Sequence, residues 1–206
     1  MNSGMNYLWG IPVGLLTQVI IIVVVTALYL GSSVSGLQSG MKHLSNLNMA
    51  LAFLLLAFML VLGPTQSILK IFLQGIGDYA QNFIGMSFRT EPYNDGSWIG
   101  SWTLFYFGWW IAWAPLVGSF VARISKGRTI KEFMMGAIFI PVLGSFLWFA
   151  VMGGSAIDLI QNQGQTVIAE AVSADVTSAL FKFFEHFPMS TFLSILAMVL
   201  VLIFFI

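Results

Sequence analysis

Three tryptophans, Trp109, Trp110 and Trp113, are the residues of this sequence whose type and spacing best suit a chemical task. On a helix that turns about 100° per residue, they share one stripe with three further aromatic residues, Trp102, Tyr106 and Phe120. Indole rings attract quaternary ammonium groups by cation–π interactions, more strongly where water is excluded. The stripe therefore favours a methylated ammonium ligand, and aromatic packing against another helix is the alternative that stays open.

The position of these rings separates them from ordinary membrane tryptophans, which mark the lipid–water interface. Trp9, Trp98 and Trp102 fit that interfacial interpretation. The other three lie near the middle of a predicted membrane span, where an indole N–H needs a partner or a cavity. They are the predicted substrate-binding residues.

The sequence has few candidate residues for catalysis, metal binding or nucleic-acid binding. It has no cysteine, two histidines and a formal net charge of +0, which argues against thiolate chemistry and nucleic-acid binding. His43 and His186 are predicted at opposite membrane faces, so they do not share a metal. Because the predicted spans lack ionisable groups, we expect no catalytic residue, no metal site, no cofactor and no enzymatic activity.

The elements that position the tryptophans are membrane helices. The sequence of 206 residues is 58% hydrophobic and 8% charged, with a mean hydropathy of +0.91, which predicts an all-α, multi-pass protein whose partner is the lipid bilayer. Five uncharged stretches reach the roughly 20 residues that a spanning helix needs: 15–37, 47–69, 99–122, 133–157 and 187–206.

The basic residues predict an orientation for these spans. Lys42 follows the first span, and four basic residues within 123–131 follow the third, so both short loops are expected in the cytoplasm. The longer connections, 70–98 and 158–186, are then outside. We expect an amphipathic helix over 72–83 in the first, and a loop with one short helix behind the N-cap Ser173 in the second.

Small residues and prolines are expected to affect the packing and the straightness of the predicted helices. The segment 31–40 is rich in Gly and Ser, which favours tight helix packing, with a flexible loop as the alternative. Pro64 is expected to kink the second span, and Pro115 to kink the third or to free the Ile111 carbonyl for an ion. An uncharged start and an apolar end predict that the sequence is a fragment of a longer protein.

The segments 102–118 (WTLFYFGWWIAWAPLVG) and 122–133 (ARISKGRTIKEF) resemble the betaine/choline/carnitine transporter (BCCT) family. The segments 4–12, 34–48 and 153–156 are similar to family segments in the same order. The resemblance implies a partial sodium-symporter-like fold, in which a twelve-span protein contains two inverted five-helix repeats and this chain is its middle piece.

The resemblance also implies a function: ion-coupled transport of a compatible solute such as glycine betaine or choline across the cell (inner) membrane, by a possible homotrimer. Trp109, Trp110 and Trp113 match the substrate-lining tryptophans of the family's eighth span. Phe107 and Leu116 depart from the common family residues, and Leu116 leaves the choice between sodium and proton coupling open. A truncated, non-transporting membrane subunit is the alternative function.

Overall fold

The computed structural model describes residues 1–34 and 42–205, and within these ranges the chain is helical and has no strand. The all-α prediction is confirmed. A π-helical turn, Ile99–Leu104, leads directly into the aromatic helix. The helices are α1 (Asn2–Trp9), α2 (Leu15–Val34), α3 (Lys42–Leu62), α4 (Thr65–Ser87), α5 (Phe105–Ile124), α6 (Ile130–Gln161), α7 (Thr166–Ala174), α8 (Val176–Phe184) and α9 (Ser190–Phe205).

Four helical stretches are long and apolar enough to cross a membrane: Leu15–Ser32, Lys42–Leu62, Ile99–Arg123 and Ile130–Gln161. α9 is as apolar but has 16 residues, fewer than the roughly 20 that span a bilayer without tilt or thinning. The number of spans and their orientation stay predictions. The end of the predicted first span (35–37), most of the Gly- and Ser-rich segment and residue 206 lie outside the described residues.

Pro64 separates two helices, whereas the sequence predicted a kink within one span. α3 ends at Leu62 and α4 begins at Thr65, because proline lacks the N–H that would continue the helical hydrogen bonds. The hydroxyl of Thr65 donates to the Leu60 carbonyl at 2.6 Å and satisfies one carbonyl that the break leaves open. The predicted amphipathic helix over 72–83 is therefore the continuation of a longer helix that starts beside the proline.

α6 continues beyond the predicted span end at residue 157 and includes a carboxylate. Asp158 lies in this helix and is only 7% exposed, on the same buried face as Val151, Ser155 and Leu159. The predicted span ends one residue before this carboxylate, and the bounds of the span in the membrane stay a prediction. The helix continues because these residues recur at the helical spacing of three and four, which buries them together.

The connection before α9 contains two short helices, where the sequence predicted one. Asp175 is the N-cap of α8, and its carboxylate accepts the Thr177 N–H at 3.0 Å. The predicted cap Ser173 instead lies in the last turn of α7, and its hydroxyl donates back to the Ala169 carbonyl at 3.0 Å. A carboxylate accepts from an exposed N–H more strongly than a serine hydroxyl does, which favours the cap at Asp175.

The chain divides into two compact units, Met1–Phe72 with Trp148–Ile206, and Leu73–Leu147. The first unit contains a hydrophobic core to which α3, the start of α4, α6, α7, α8 and α9 contribute. Its fully or almost fully buried members are Leu55, Met59, Ile68, Val151, Leu159, Ile168, Phe183, Phe184, Phe187, Leu193, Leu196 and Ala197. The second unit contains α5, none of whose described side chains is buried.

Candidate functional site

The aromatic helix begins with a wider turn than the sequence predicted. The backbone N–H of Phe105, where the π-helical turn meets α5, is directed at the carbonyls of both Gly100 and Trp102. Such π-turns occur frequently at functional sites. Across this junction the rings of Trp102 and Tyr106 still stack, with centroids 5.8 Å apart and planes inclined by 6°. The aromatic stripe is therefore continuous through the change of helix type.

The three predicted site residues lie together on α5. The ring centroids of Trp109 and Trp110 are 5.9 Å apart with an interplanar angle of 64°. Those of Trp109 and Trp113 are 6.2 Å apart at 68°. Edge-to-face contacts of this kind are attractive because the positive edge of one ring meets the negative face of another. Trp109 is thus the central ring, in contact with the other two.

These rings are accessible within the unit that contains them. Trp109, Trp110 and Trp113 are 49%, 61% and 46% exposed, respectively. The helix carries no charge from Phe105 to Ala122, and Arg123 is the first charged residue in its last turn. The site therefore offers π-faces and indole N–H groups, and no carboxylate of this helix is available to pair with a cation.

The helix continues through Pro115 without ending. One turn later, the hydroxyl of Ser119 donates to the Pro115 carbonyl at 2.8 Å. Such a bond from a Ser side chain to the preceding turn is common in membrane helices and adjusts their local geometry. Coordination of an ion by the Ile111 carbonyl stays a prediction.

Ionisable residues do not form a metal site in the described ranges, where no group of three or more His, Asp or Glu side chains has suitable positions. His43 lies at the start of α3, and His186 follows α8. The carboxylate that the sequence reasoning missed is Asp158, which accepts from Asn162 Nδ2 at 2.7 Å and from the Ser67 side chain.

A signal for this buried carboxylate is present in the sequence. Val151, Ser155, Asp158 and Leu159 follow one another at spacings of four, three and one, as on the inner face of a helix that has not yet ended. The predicted span ends at residue 157 because Asp158 is the first charged residue after the apolar stretch. Partnered by Ser67 and Asn162, Asp158 connects the start of α4 to the end of α6.

The comparison with known proteins decides the family. The model of the BCCT, betaine/carnitine/choline family transporter, matches residues 1–206. The chain belongs to the BCCT family. Members of this family are transporters and not enzymes, and the described ranges of this chain contain four helices long and apolar enough to cross a membrane.

Individual relatives of this BCCT chain extend across its whole length. It is 48% identical to the glycine betaine transporter OpuD of Bacillus subtilis over 100% of the chain and 40% of that relative. It is 42% identical to the ectoine/hydroxyectoine transporter of Virgibacillus pantothenticus, over 99% of the chain and 40% of the relative. The glycine betaine transporter of Acinetobacter baylyi is 39% identical over 100% of the chain and 31% of that relative.

The BCCT chain thus spans between 31% and 40% of the length of these relatives. The resemblance seen in the aromatic helix and the basic loop extends over all 206 residues.

Proposed function

We propose that this chain is the part of a secondary transporter that supplies one side of the binding site for a quaternary-ammonium solute such as glycine betaine or choline. The observation that carries the proposal is the cluster of Trp109, Trp110 and Trp113, with rings 5.9 Å and 6.2 Å apart and about half exposed. Three electron-rich faces without a neighbouring charge suit a trimethylammonium group, whose positive charge is spread over methyl groups that cannot donate strong hydrogen bonds.

The rings can take different parts in such a site. Trp110 is the most exposed of the three, so we assign it to direct contact with the methyl groups. Trp109 contacts both other rings and orients them. Trp113, one turn further along α5, is the next ring on the inward path. An indole N–H can also donate to a solute carboxylate, as glycine betaine would require.

The relatives support this class of solute. Those named as glycine betaine transporters are 48% and 39% identical to the chain, and a relative named for ectoine and hydroxyectoine is 42% identical. We propose transport across the cell membrane by alternating access, coupled to sodium or to protons. Because the chain spans 31–40% of those relatives, we assign the rest of the site to other segments of the intact transporter.

A second candidate function rests on the exposure of the whole aromatic helix. None of the described side chains of α5 is buried in its own unit, and Gly108, Ala112 and Ser119 provide small residues away from the aromatic stripe, on which another helix can pack closely. Such a helix would suit a non-transporting membrane subunit that uses its rings to pack on a partner.

The deciding experiment uses the intact parent transporter in proteoliposomes. We expect Trp110→Ala to abolish uptake of labelled glycine betaine or choline with membrane insertion unchanged, and Trp110→Phe to retain part of the uptake because phenyl binds cations more weakly than indole. Trp98→Phe is the matched control, since that ring lies under the Arg89 guanidinium at 4.7 Å and outside the cluster. Unchanged uptake kinetics in Trp110→Ala would contradict the assignment of Trp110 to direct contact with the solute.

A second assay separates the two candidate functions. The 206-residue chain alone is reconstituted, and labelled solute is offered under an imposed sodium gradient and, separately, a proton gradient. We expect no saturable uptake from the chain alone, and uptake from the intact parent under one of the gradients. A parent that shows no uptake under either gradient favours the packing subunit.

A further inference from the structure

The turn that joins α5 to α6 (125–129) lies in a positively charged segment. Within 123–132, four basic residues against one carboxylate, that of Glu132, give a formal charge of +3. The basic residues are Arg123, Lys126, Arg128 and Lys131. In the part of the chain that the structure describes, no salt bridge involves any of the four. The segment therefore presents positive charge that its own ion pairs do not neutralise.

Hydrogen bonds fix the backbone of this turn. The Arg128 N–H donates to the Ser125 carbonyl at 3.0 Å, and Gly127 between them has a φ of 88°, which glycine adopts without a steric cost. At the start of α6, the N–H and hydroxyl of Thr129 donate to Oε2 of Glu132 at 2.9 Å and 3.0 Å, as in a capping box. The Glu132 carboxylate also interacts with the charge of Arg128, but the helix start holds it.

A cleft of about 370 Å³ opens beside the turn, within the size range of small-ligand sites, about 300–1,000 Å³. Its polar end is formed by Ser125, Arg128 and Thr129, and its apolar walls include Val121 of α5 and Phe133 of α6. No carboxylate belongs to the described residues that line it. The guanidinium of Arg128 is thus the charged group of the cleft.

The cleft lies where two apolar helical stretches meet their polar junction. The stretch Ile99–Arg123 ends just before the turn, and the stretch Ile130–Gln161 begins just after it. The apolar walls belong to these stretches, whereas the polar end belongs to the turn between them. The basic residues predict that this end lies at the cytoplasmic membrane surface, where the leaflet contains anionic lipids.

The polarity of the cleft matches an anionic phospholipid better than a soluble anion. A phosphate group can accept hydrogen bonds from one guanidinium at two oxygens at once, and the Ser125 hydroxyl can donate another. A soluble phosphate has no group to cover Val121 and Phe133. An acyl chain attached to the phosphate through glycerol covers them, so that both ends of the cleft are matched by one molecule.

We propose that this cleft binds an anionic phospholipid, with the Arg128 guanidinium on the phosphate and the first part of one acyl chain between α5 and α6. Arg123, Lys126 and Lys131 attract the anionic head group from a greater distance, an effect that salt screens. The proposal does not rest on solute binding, because the three tryptophans of α5 do not line the cleft.

Native mass spectrometry of the 206-residue chain, delipidated in an uncharged detergent, tests this proposal. Phosphatidylglycerol and phosphatidylcholine with identical acyl chains are titrated separately, and glycerol phosphate supplies an anionic head group without the chains. We expect phosphatidylglycerol to bind roughly tenfold more tightly than phosphatidylcholine, because several basic residues attract its head group. Equal affinities for the two lipids, or displacement of phosphatidylglycerol by glycerol phosphate at the same concentration, overturn the proposal.

Two charge variants separate the cleft from general attraction to the basic segment. Arg128→Gln is expected to weaken phosphatidylglycerol binding about fivefold, the order of one basic residue near an anionic surface. Arg123→Gln removes the same charge outside the cleft and is expected to weaken binding less than about twofold, because water and salt screen a distant charge. Equal effects of the two variants mean that the charges act only at a distance, which overturns the proposal.

A further variant tests the acyl chain without changing a charge. Gly118 lines the cleft, and a Cβ atom added there meets nothing within 4 Å, so Gly118→Leu occupies space in the cleft. We expect about threefold weaker binding of phosphatidylglycerol, the order of one methylene group that loses its contacts. Gly136→Leu, at an equally open position of α6 outside the cleft, is the matched control and should change nothing.

Circular dichroism establishes that each variant keeps the helix content of the parent chain. If Arg128→Gln does not fold, Gly118→Leu decides. Phosphatidylglycerol binding that is unchanged in Gly118→Leu, or weakened equally by Gly136→Leu, overturns the proposal.

Discussion

Gly4 of α1 lies so close to Phe181 of α8 that a Cβ atom added at Gly4 would be 2.5 Å from Cζ of the phenyl ring. The same Cβ would lie 2.9 Å from Sδ of Met198 on α9. Phe181 has little freedom to move, because it is 7% exposed and stacks on Tyr7 at 5.4 Å. A residue without a side chain is what lets α1 approach both helices.

Gly4→Ala is therefore expected to destabilise the chain by about 1–3 kcal/mol, the usual range for overpacking. The measurement is thermal unfolding in detergent, followed by circular dichroism. Gly75→Ala on α4 is the matched control, since a Cβ there meets nothing within 4 Å and alanine favours a helix over glycine. Equal midpoints for Gly4→Ala and the parent chain would contradict this packing.

The N-cap of α8 predicts a pH-dependent stability. The hydroxyl and backbone N–H of Thr177 both donate to Asp175, and these bonds lower the pKa of its carboxyl. A carboxyl with a lowered folded-state pKa stabilises the fold above its ordinary pKa, and that contribution is lost as the pH falls through the lowered value.

We expect Asp175→Ala to lower the unfolding midpoint at pH 7, and this difference from the parent chain to shrink once the pH falls below the ordinary aspartate range, about 4. Asp175→Asn should lower the unfolding midpoint less than Asp175→Ala does, because asparagine also caps helices. Ser173→Ala is the control and should change little, since Ser173 does not cap α8. A midpoint lowered more by Ser173→Ala than by Asp175→Ala would argue for the predicted cap.

Asp158 is expected to matter for stability rather than for solute binding. Asp158→Ala removes the acceptor of Asn162 Nδ2 and Ser67. Because Asn162 is exposed and Ser67 half-buried, water can reach both donors, and we expect a cost of about 0.5–1.5 kcal/mol, the net contribution of a typical hydrogen bond. Asp158→Asn keeps one acceptor oxygen and should cost less. The exposed Asp78→Ala serves as the control in the same unfolding assay. Stability unchanged in Asp158→Ala would mean that water replaces the carboxylate without cost.

The sequence alone predicted the helices and the aromatic stripe, because both follow from local geometry. The length of each apolar run bounds a helix, and the contact between Trp109 and Trp113 joins residues one turn apart on the same helix. The stripe could therefore be drawn from a period of about 100° per residue. The family resemblance depended on the same local segments.

Boundaries were predicted less well where two local preferences compete. Pro64 ends a helix that the apolar pattern alone would continue, and Asp175 takes the cap for which Ser173 was also a candidate. The sequence contains both competing signals in each case, and the hydrogen bonds of the folded backbone select one of them.

Contacts between distant residues were decided only by the tertiary structure. Gly4 meets Phe181, Ser3 shares a hydrogen bond of 2.8 Å with Thr177, and Gln165 faces His186. Nothing in the spacing of these residues brings them together. Their meeting depends on how α1, α7, α8 and α9 pack, since burying a shared apolar core sets which polar groups on its border become neighbours. The sequence by itself determined the rings that suit a cation, and the packing decided which distant residues become neighbours.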